Sequence, residues 1–335
     1  MSTATASLLS DPERVAARRA WEQQLGGLGG RAASVYLWGV TAAGSTAMYR
    51  DPGQRCREAL QELAEQAEQL KAGGVFRPLC VDSGLHGVHF VDKILGAEVY
   101  ELDGEEGNWQ AKYLASAVGS LKRPDLASNP TWTAAREFAA AFVASGVTVP
   151  VLMLPTIASA LNIGLNLYGQ RLLVAMMVDP AAAHHDLEII NAVLLEIHDW
   201  YRSHVPFELL HQVCCHQRYQ PPGCGQICGC STQLVSAVQY DAFIAGRDES
   251  ILARYPNGGM IHLCGSHTQH VGTWREMRAL TAVQLNDRAA EDLEIYLTEM
   301  PDKVYYVNPC DGMPLERVAE LARAHRVVIC AEPLR

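Results

Sequence analysis

The apolar positions fall into short runs and amphipathic stretches, punctuated by glycine, proline and aspartate. Asp11-Pro12 caps a helix over 11–25 that carries Trp21 and Leu25 and stops at Gly26-Gly27. Leu60, Leu63, Ala67 and Leu70 share one face of a helix over Arg55–Leu70, ended by Gly73-Gly74. Strands are predicted at Val35–Val40, Val75–Val81, Ala97–Leu102 (closed by Asp103-Gly104) and Val147–Leu154. Between them lie a short helix, Val88–Leu95, and an alanine-rich one, Thr131–Ala144. A long helical region follows: Ala158–Tyr168, Gln170–Met177, and a third piece from Asp179-Pro180 to about His204. Leu187, Ile190, Val193, Leu194 and Ile197 are its apolar stripe.

The last third alternates between the two periods. Strands are expected at Phe207–Val213, Gln226–Cys230, Met260–Cys264, Ala282–Leu285, Lys303–Val307 and Arg326–Cys330. Helices are expected at Ser236–Ala253, Ala289–Met300 and Leu315–Ala324. Apolar strands alternating with helices imply a parallel sheet covered on both faces. Eight such units in about 250 residues fit a (β/α)8 TIM-type barrel. Residues 1–30 then form an N-terminal helical extension, and 1–335 a single domain. The alternative is an open doubly wound sheet, but no glycine-rich phosphate loop follows a strand.

A formal charge of −10 with no basic stripe argues against nucleic acid as a partner. No apolar run reaches the ~20 residues of a membrane helix, and Met1–Ser10 lacks the pattern of a signal peptide, so a cytoplasmic location is expected. In that compartment the ten cysteines read as thiols or metal ligands rather than disulfides.

Strand parity sets the chemistry. His262 and Cys264 stand two apart at the end of a buried strand and project to one side, an imidazole and a thiolate suited to a tetrahedral zinc site. In a barrel, chemistry gathers where strands end. Cys228 and Cys230, Asn308 and Cys310, and Cys330 all end strands. The segment Cys214–Cys230 holds five cysteines and His216, a thiolate-rich run suited to zinc, copper(I) or an iron–sulfur cluster. Cys224, Cys228 and Cys230 are its candidate metal or substrate ligands, whereas the adjacent Cys214 and Cys215 are poorly placed to chelate together. Core or capping roles are expected for His86 and His89, and solvated positions for His184 and His185. His267 and His270 follow the motif by about one turn.

From about Arg77 onward the chain resembles the uroporphyrinogen decarboxylase superfamily, and more narrowly its zinc-dependent, corrinoid-linked methyltransferase branch. The resemblance is carried by the segments Leu161–Gly169 and Leu172–Pro180, by Cys230–Ser236 leading to Tyr240–Phe243, and by His262-Leu-Cys-Gly265. It implies zinc held by His262, Cys264 and Cys330, with Cys310 the alternative third ligand. It also implies a methylcorrinoid (cobalamin) donor and a small thiol acceptor. No Asp-x-His-x-x-Gly signature is present, so the corrinoid is expected free or on a separate protein. Gly39–Gly44 stands where the decarboxylases carry an arginine-bearing segment, which argues against tetrapyrrole decarboxylation. The alternatives are a cysteine-rich metal site doing lyase or redox chemistry, or a metal- or corrinoid-binding protein without turnover.

Overall fold

The computed structural model describes residues 3–26, 35–36, 40–42, 51–69, 78–102, 107–211 and 218–331. Several expectations lie outside those residues: the middle of the strand at 35–40, the start of the strand at 75–77, the glycine stops at 27 and 73–74, the turn at 103–104, and Cys214, Cys215 and His216.

Twelve strands occur among the described residues. They are β1 (Val35–Tyr36), β2 (Val40–Ala42), β3 (Leu79–Val81), β4 (Val99–Glu101), β5 (Trp109–Ala111), β6 (Val151–Met153), β7 (Leu210–His211), β8 (Gly225–Cys228), β9 (Gly259–Cys264), β10 (Leu280–Asn286), β11 (Val304–Val307) and β12 (Val327–Ile329). One sheet runs β1-β12-β11-β10-β9-β8 and a second β2-β3-β6-β7, every pairing in both being parallel. The alternating sequence thus gives a parallel α/β architecture. Trp21 from the N-terminal helix joins Cys80, Val151, Met153, Tyr219, Met260, Ala282, Tyr306, Val328 and Cys330 in one buried cluster, so both sheets turn a face toward shared apolar contacts.

Local chemistry accounts for the helix starts. Asn129 accepts from Trp132 N at 3.0 Å ahead of Pro130–Ala144, and Asp179 accepts from Ala182 N ahead of Pro180–His204. Ser236 and Gln239 close a capping box on Ala237–Phe243.

Five expectations are corrected. Val99–Glu101 is no member of the parallel sheets, because it pairs antiparallel with Trp109–Ala111 in a separate hairpin. The strand expected over 147–154 shortens to Val151–Met153, since Pro150 has no N–H to give a ladder. Phe207–Leu209 is a 3-10 turn and only Leu210–His211 is extended. The helix over 236–253 breaks at Ile244 into Ala237–Phe243 and Ala245–Leu252. His184 is not simply solvated, for its ring stacks on Phe243 at 4.4 Å. Among the described residues no helix is long and apolar enough to cross a membrane.

Candidate metal centre

Parallel register builds the site. Cys228 on β8 lies opposite His262 on β9, which lies opposite Gln284 on β10; two residues further along, Cys264 lies opposite Asn286. Two glycines let β8 and β9 close up, because a Cβ on Gly259 would sit 2.3 Å from the Gly225 carbonyl oxygen. Gly229, just past β8, has no room for a side chain either: a Cβ would meet Ile261 Cδ1 at 2.6 Å. Its N–H donates to the His262 carbonyl (2.7 Å) while Cys228 N–H donates to the Ile157 carbonyl (2.6 Å). The backbone therefore turns immediately, and Cys230 opens the 3-10 turn Cys230–Leu234. It is this turn, rather than strand alternation, that brings Cys230 back beside Cys228.

The outcome is a three-donor group. The ligand atoms of Cys228, Cys230 and His262 all lie within 4.8 Å of one another, with His262 only 5% exposed. Tetrahedral zinc with Zn–S near 2.3 Å and Zn–N near 2.05 Å separates its ligands by roughly 3.5–3.8 Å. The observed spread needs only a small contraction to meet that geometry, and two thiolates with one imidazole suit zinc chemically. The residues fit a metal.

A relay holds the imidazole. Gln284, 1% exposed, donates through Nε2 to Asn308 Oδ1 at 2.6 Å, which turns its Oε1 toward His262 Nδ1 in a short hydrogen bond. Carbonyl oxygen only accepts, so Nδ1 carries the proton and Nε2 is left as the ligand nitrogen. Cys264 Sγ lies 3.2 Å from that Nε2 and takes a bond from Asn286 Nδ2 at 3.4 Å.

The thiols differ in acidity. The Cys230 thiol bonds to both Cys228 and Cys264, which draws those two well below an ordinary thiol against the opposing effect of burial; the His262 imidazole adds to the pull. The same two bonds push Cys230 far up, making it the last of the three to lose its proton.

Cys228, Cys230 and His262 line a cavity of about 410 Å³ with Asp82, Met153, Thr156, Asn162, Asn166 and Arg218. Asn162 is fixed by Ser159 and Ser231 at 2.7 and 2.8 Å, tying this wall to the turn that carries Cys230. Behind the site, His267 bonds to Thr232 Oγ1 (2.8 Å) and to the Cys264 carbonyl (2.9 Å), while His270 bonds to the Thr232 carbonyl (2.9 Å). Both brace the site; neither belongs to the three-donor group.

The structure thus brings His262 and Cys264 together as their parity implies, but draws the companion thiols from Cys228 and Cys230. Cys330 Sγ lies in the interior cluster, 4.0 Å from the Val328 carbonyl, and Cys310 sits in a turn bonded to Met313. Neither joins a group of three donors among the described residues. Cys224 lies in another cavity, beside Lys303 and Tyr306, its thiol pushed up to about 12 by burial. His89 bonds Asp92 at 2.6 Å and His86 packs edge-on against Trp109. Gln284 carried no expectation, although a lone polar residue inside an apolar strand signals a buried bond; Asp82, just past β3, was given no site role.

No protein-family profile matches the chain, and no curated protein is similar in sequence. Among solved structures, a methyltransferase from Methanosarcina mazei is similar in fold, with a TM-score of 0.60 over 92% of each chain at 10% sequence identity.

Proposed function

We propose that this chain is a zinc-dependent methyltransferase acting on a small thiol, with its two parallel sheets the halves of one (β/α)8 barrel. The Cys228–Cys230–His262 group opening on a cavity carries the reading, and the fold likeness to a methyltransferase supports it. Cys228, Cys230 and His262 hold the metal in this reading, replacing the set His262, Cys264 and Cys330. Three protein ligands leave a fourth position for the acceptor; zinc there supplies a lowered thiol pKa near neutral pH. The acceptor sulfur bonds the methyl carbon as the donor–methyl bond breaks, the electron pair of that bond stays with the donor, and the thiol proton is released.

The residues of the chain do the rest. Gln284 holds the His262 tautomer, the wall formed by Met153, Thr156 and Ile157 shields the acceptor from water, and the buried turn at Gly229 fixes the sulfurs. A cavity of about 410 Å³ takes a small thiol but not a corrinoid macrocycle, so a methylcorrinoid donor would be presented from outside. Metal analysis of the purified protein, followed by methyl transfer from methylcobalamin to a thiol panel, tests the proposal. One zinc per chain, lost in Cys228→Ser and His262→Ala, with S-methyl product formed, is expected. Iron with acid-labile sulfide, copper, or bound zinc without turnover would overturn it in favour of the lyase, redox or binding alternatives.

A further inference from the structure

A cavity of about 560 Å³ lies at the other end of the same strands. The metal-ligand group stands where β8 and β9 finish, whereas here the walls come from residues that lead into strands. Arg278 comes just before β10, Lys303 immediately before β11 and Arg326 immediately before β12, and these three strands are consecutive neighbours in one sheet. Their pairing is parallel, so the three entries lie side by side and each brings one cation to the cavity. Asp302 is the one acidic lining residue among those described. In a chain of formal charge −10, these walls therefore carry a surplus of two positive charges. The cations are oriented but not neutralised. Lys303 Nζ donates to the carbonyls of Met277 (3.0 Å) and Leu280 (2.5 Å), and Arg326 Nη1 to that of Asp302 (2.6 Å). Arg326 Nε is buried with no acceptor, and exposed Arg278 makes no hydrogen bond or ion pair among the described residues. Burial lowers the Lys303 pKa even with the carboxylates of Glu249, Asp302 and Glu276 acting on it.

We infer that this cavity is a second ligand site, separate from the metal centre, that takes a small organic phosphate monoester. Its phosphoryl oxygens meet Arg278, Lys303 and Arg326, and its organic part lies against Leu280, Ala282 and Val304. A phosphate monoester carries about −1.5 to −2 charge near neutral pH, which matches the surplus on the walls. Guanidinium forks bond phosphate oxygens in pairs, and a lysine adds a point charge. A carboxylate brings half the charge, and a neutral ligand would strip water from three cations without replacing it. The volume exceeds what a bare phosphate fills and falls in the range of small-molecule sites.

Calorimetry on the full chain as purified tests the assignment with ribose 5-phosphate, ribose and inorganic phosphate, at about 0.15 M salt so that exposed charges are largely screened. Ribose 5-phosphate should bind with a Kd below about 1 mM, inorganic phosphate about tenfold or more weaker, and ribose not measurably. Arg278→Gln should weaken the ester about tenfold or more, the scale of one lost charged hydrogen bond. Lys122→Gln, which removes an exposed cation outside the cavity, should leave the affinity unchanged. Lys303→Gln and Arg326→Gln should weaken the ester as Arg278→Gln does. Both of those cations also bond backbone carbonyls, so if either variant fails to fold, Arg278→Gln, which breaks no such bond, decides. No saturable binding of the ester, ribose binding as tightly as the ester, or equal losses in Arg278→Gln and Lys122→Gln overturns the inference. Inorganic phosphate binding as tightly as the ester overturns the assignment to an ester. Cys228→Ser and His262→Ala should keep full ester affinity whether or not the chain transfers methyl groups, and a tenfold loss in both would overturn the separation of the two sites.

Discussion

Gln284→Leu isolates the relay behind the metal ligand. Gln284 is buried, nearly isosteric with leucine, and touches the site through one acceptor and one donor. The substitution leaves the His262 Nδ1–H facing an apolar side chain, which should cost about 1–3 kcal/mol of folding stability for an unsatisfied buried donor. It also frees the ring to rotate and to exchange tautomers, so Nε2 is no longer held toward the thiols. Loss of such an outer partner typically lowers metal affinity about 10- to 100-fold, or roughly 1.4–2.7 kcal/mol. Gln284→Glu should behave oppositely. A carboxylate accepts from Nδ1–H more strongly, and Asn308 can turn its amide to donate, so zinc affinity should equal or exceed the wild type. Competition against a chromophoric zinc chelator at pH 7.5 measures all three proteins, with urea denaturation of the metal-free forms giving the stability change. Wild-type zinc affinity in Gln284→Leu, or weaker binding in Gln284→Glu than in Gln284→Leu, would refute the assignment of Nε2 as ligand.

The other expectations are these. Cys264→Ser should keep one zinc per chain with a modest loss of affinity, whereas Cys230→Ser should lose it; equal losses in a metal assay would make Cys264 a full ligand. In the metal-free protein iodoacetamide should modify Cys264 or Cys228 first, at a rate nearly flat from pH 7 to 9, because their pKa values lie below that window; Cys56 and Cys224, both pushed up to about 12 by burial, should lag and should speed up with pH when the masses of modified peptides are followed. His198 is buried beside Tyr255 with its pKa lowered to about 3, so the unfolded chain binds its proton first as pH falls below about 6.5. The stability advantage of wild type over His198→Phe should therefore shrink by about 2 kcal/mol between pH 7.5 and pH 5 in urea titrations. Gly259→Ala, which drives a Cβ into the Gly225 carbonyl, should destabilise by about 1–3 kcal/mol and weaken zinc binding by spreading β8 from β9.

What could be read from the chain was whatever depends on neighbours in sequence. The β9 tip is such a case, since residues 262 and 264 share a side whatever the strand pairs with. The helices of the last two thirds followed from apolar spacing and caps such as Asn129-Pro130 and Asp179-Pro180. What depends on register was hidden. Cys228 and Gln284 flank His262 only because β8, β9 and β10 pair in parallel, and nothing in their own segments fixes that alignment. Once the pairing is known the row continues through Gln284 to Tyr306 and Val328, each on the strand beside the last. The hairpin of β4 and β5 reads locally like any other pair of strands; only its partner distinguishes it from the parallel sheets. Asp82 was given no site role, since an aspartate after a strand also reads as a turn residue, the role its Oδ1 does fill.

The position of Cys264 separates an open metal site from a closed one. Its sulfur is near His262 Nε2, so four donors stand close enough to tempt a Cys3His assignment, which would be a closed structural site. Two observations weigh against closure. Cys264 lies outside the group whose donors are all mutually close, and it borders a second, polar cavity of about 590 Å³ with Gln233, Asp287, Arg288 and Glu291, whereas Cys228, Cys230 and His262 border the cavity of Asp82 and Arg218. Its sulfur is instead held by Asn286 and by Cys230, the thiol with the most strongly raised pKa. A metal held by Cys228, Cys230 and His262 would take any further ligand from the cavity those three residues line, which has room for a small thiol.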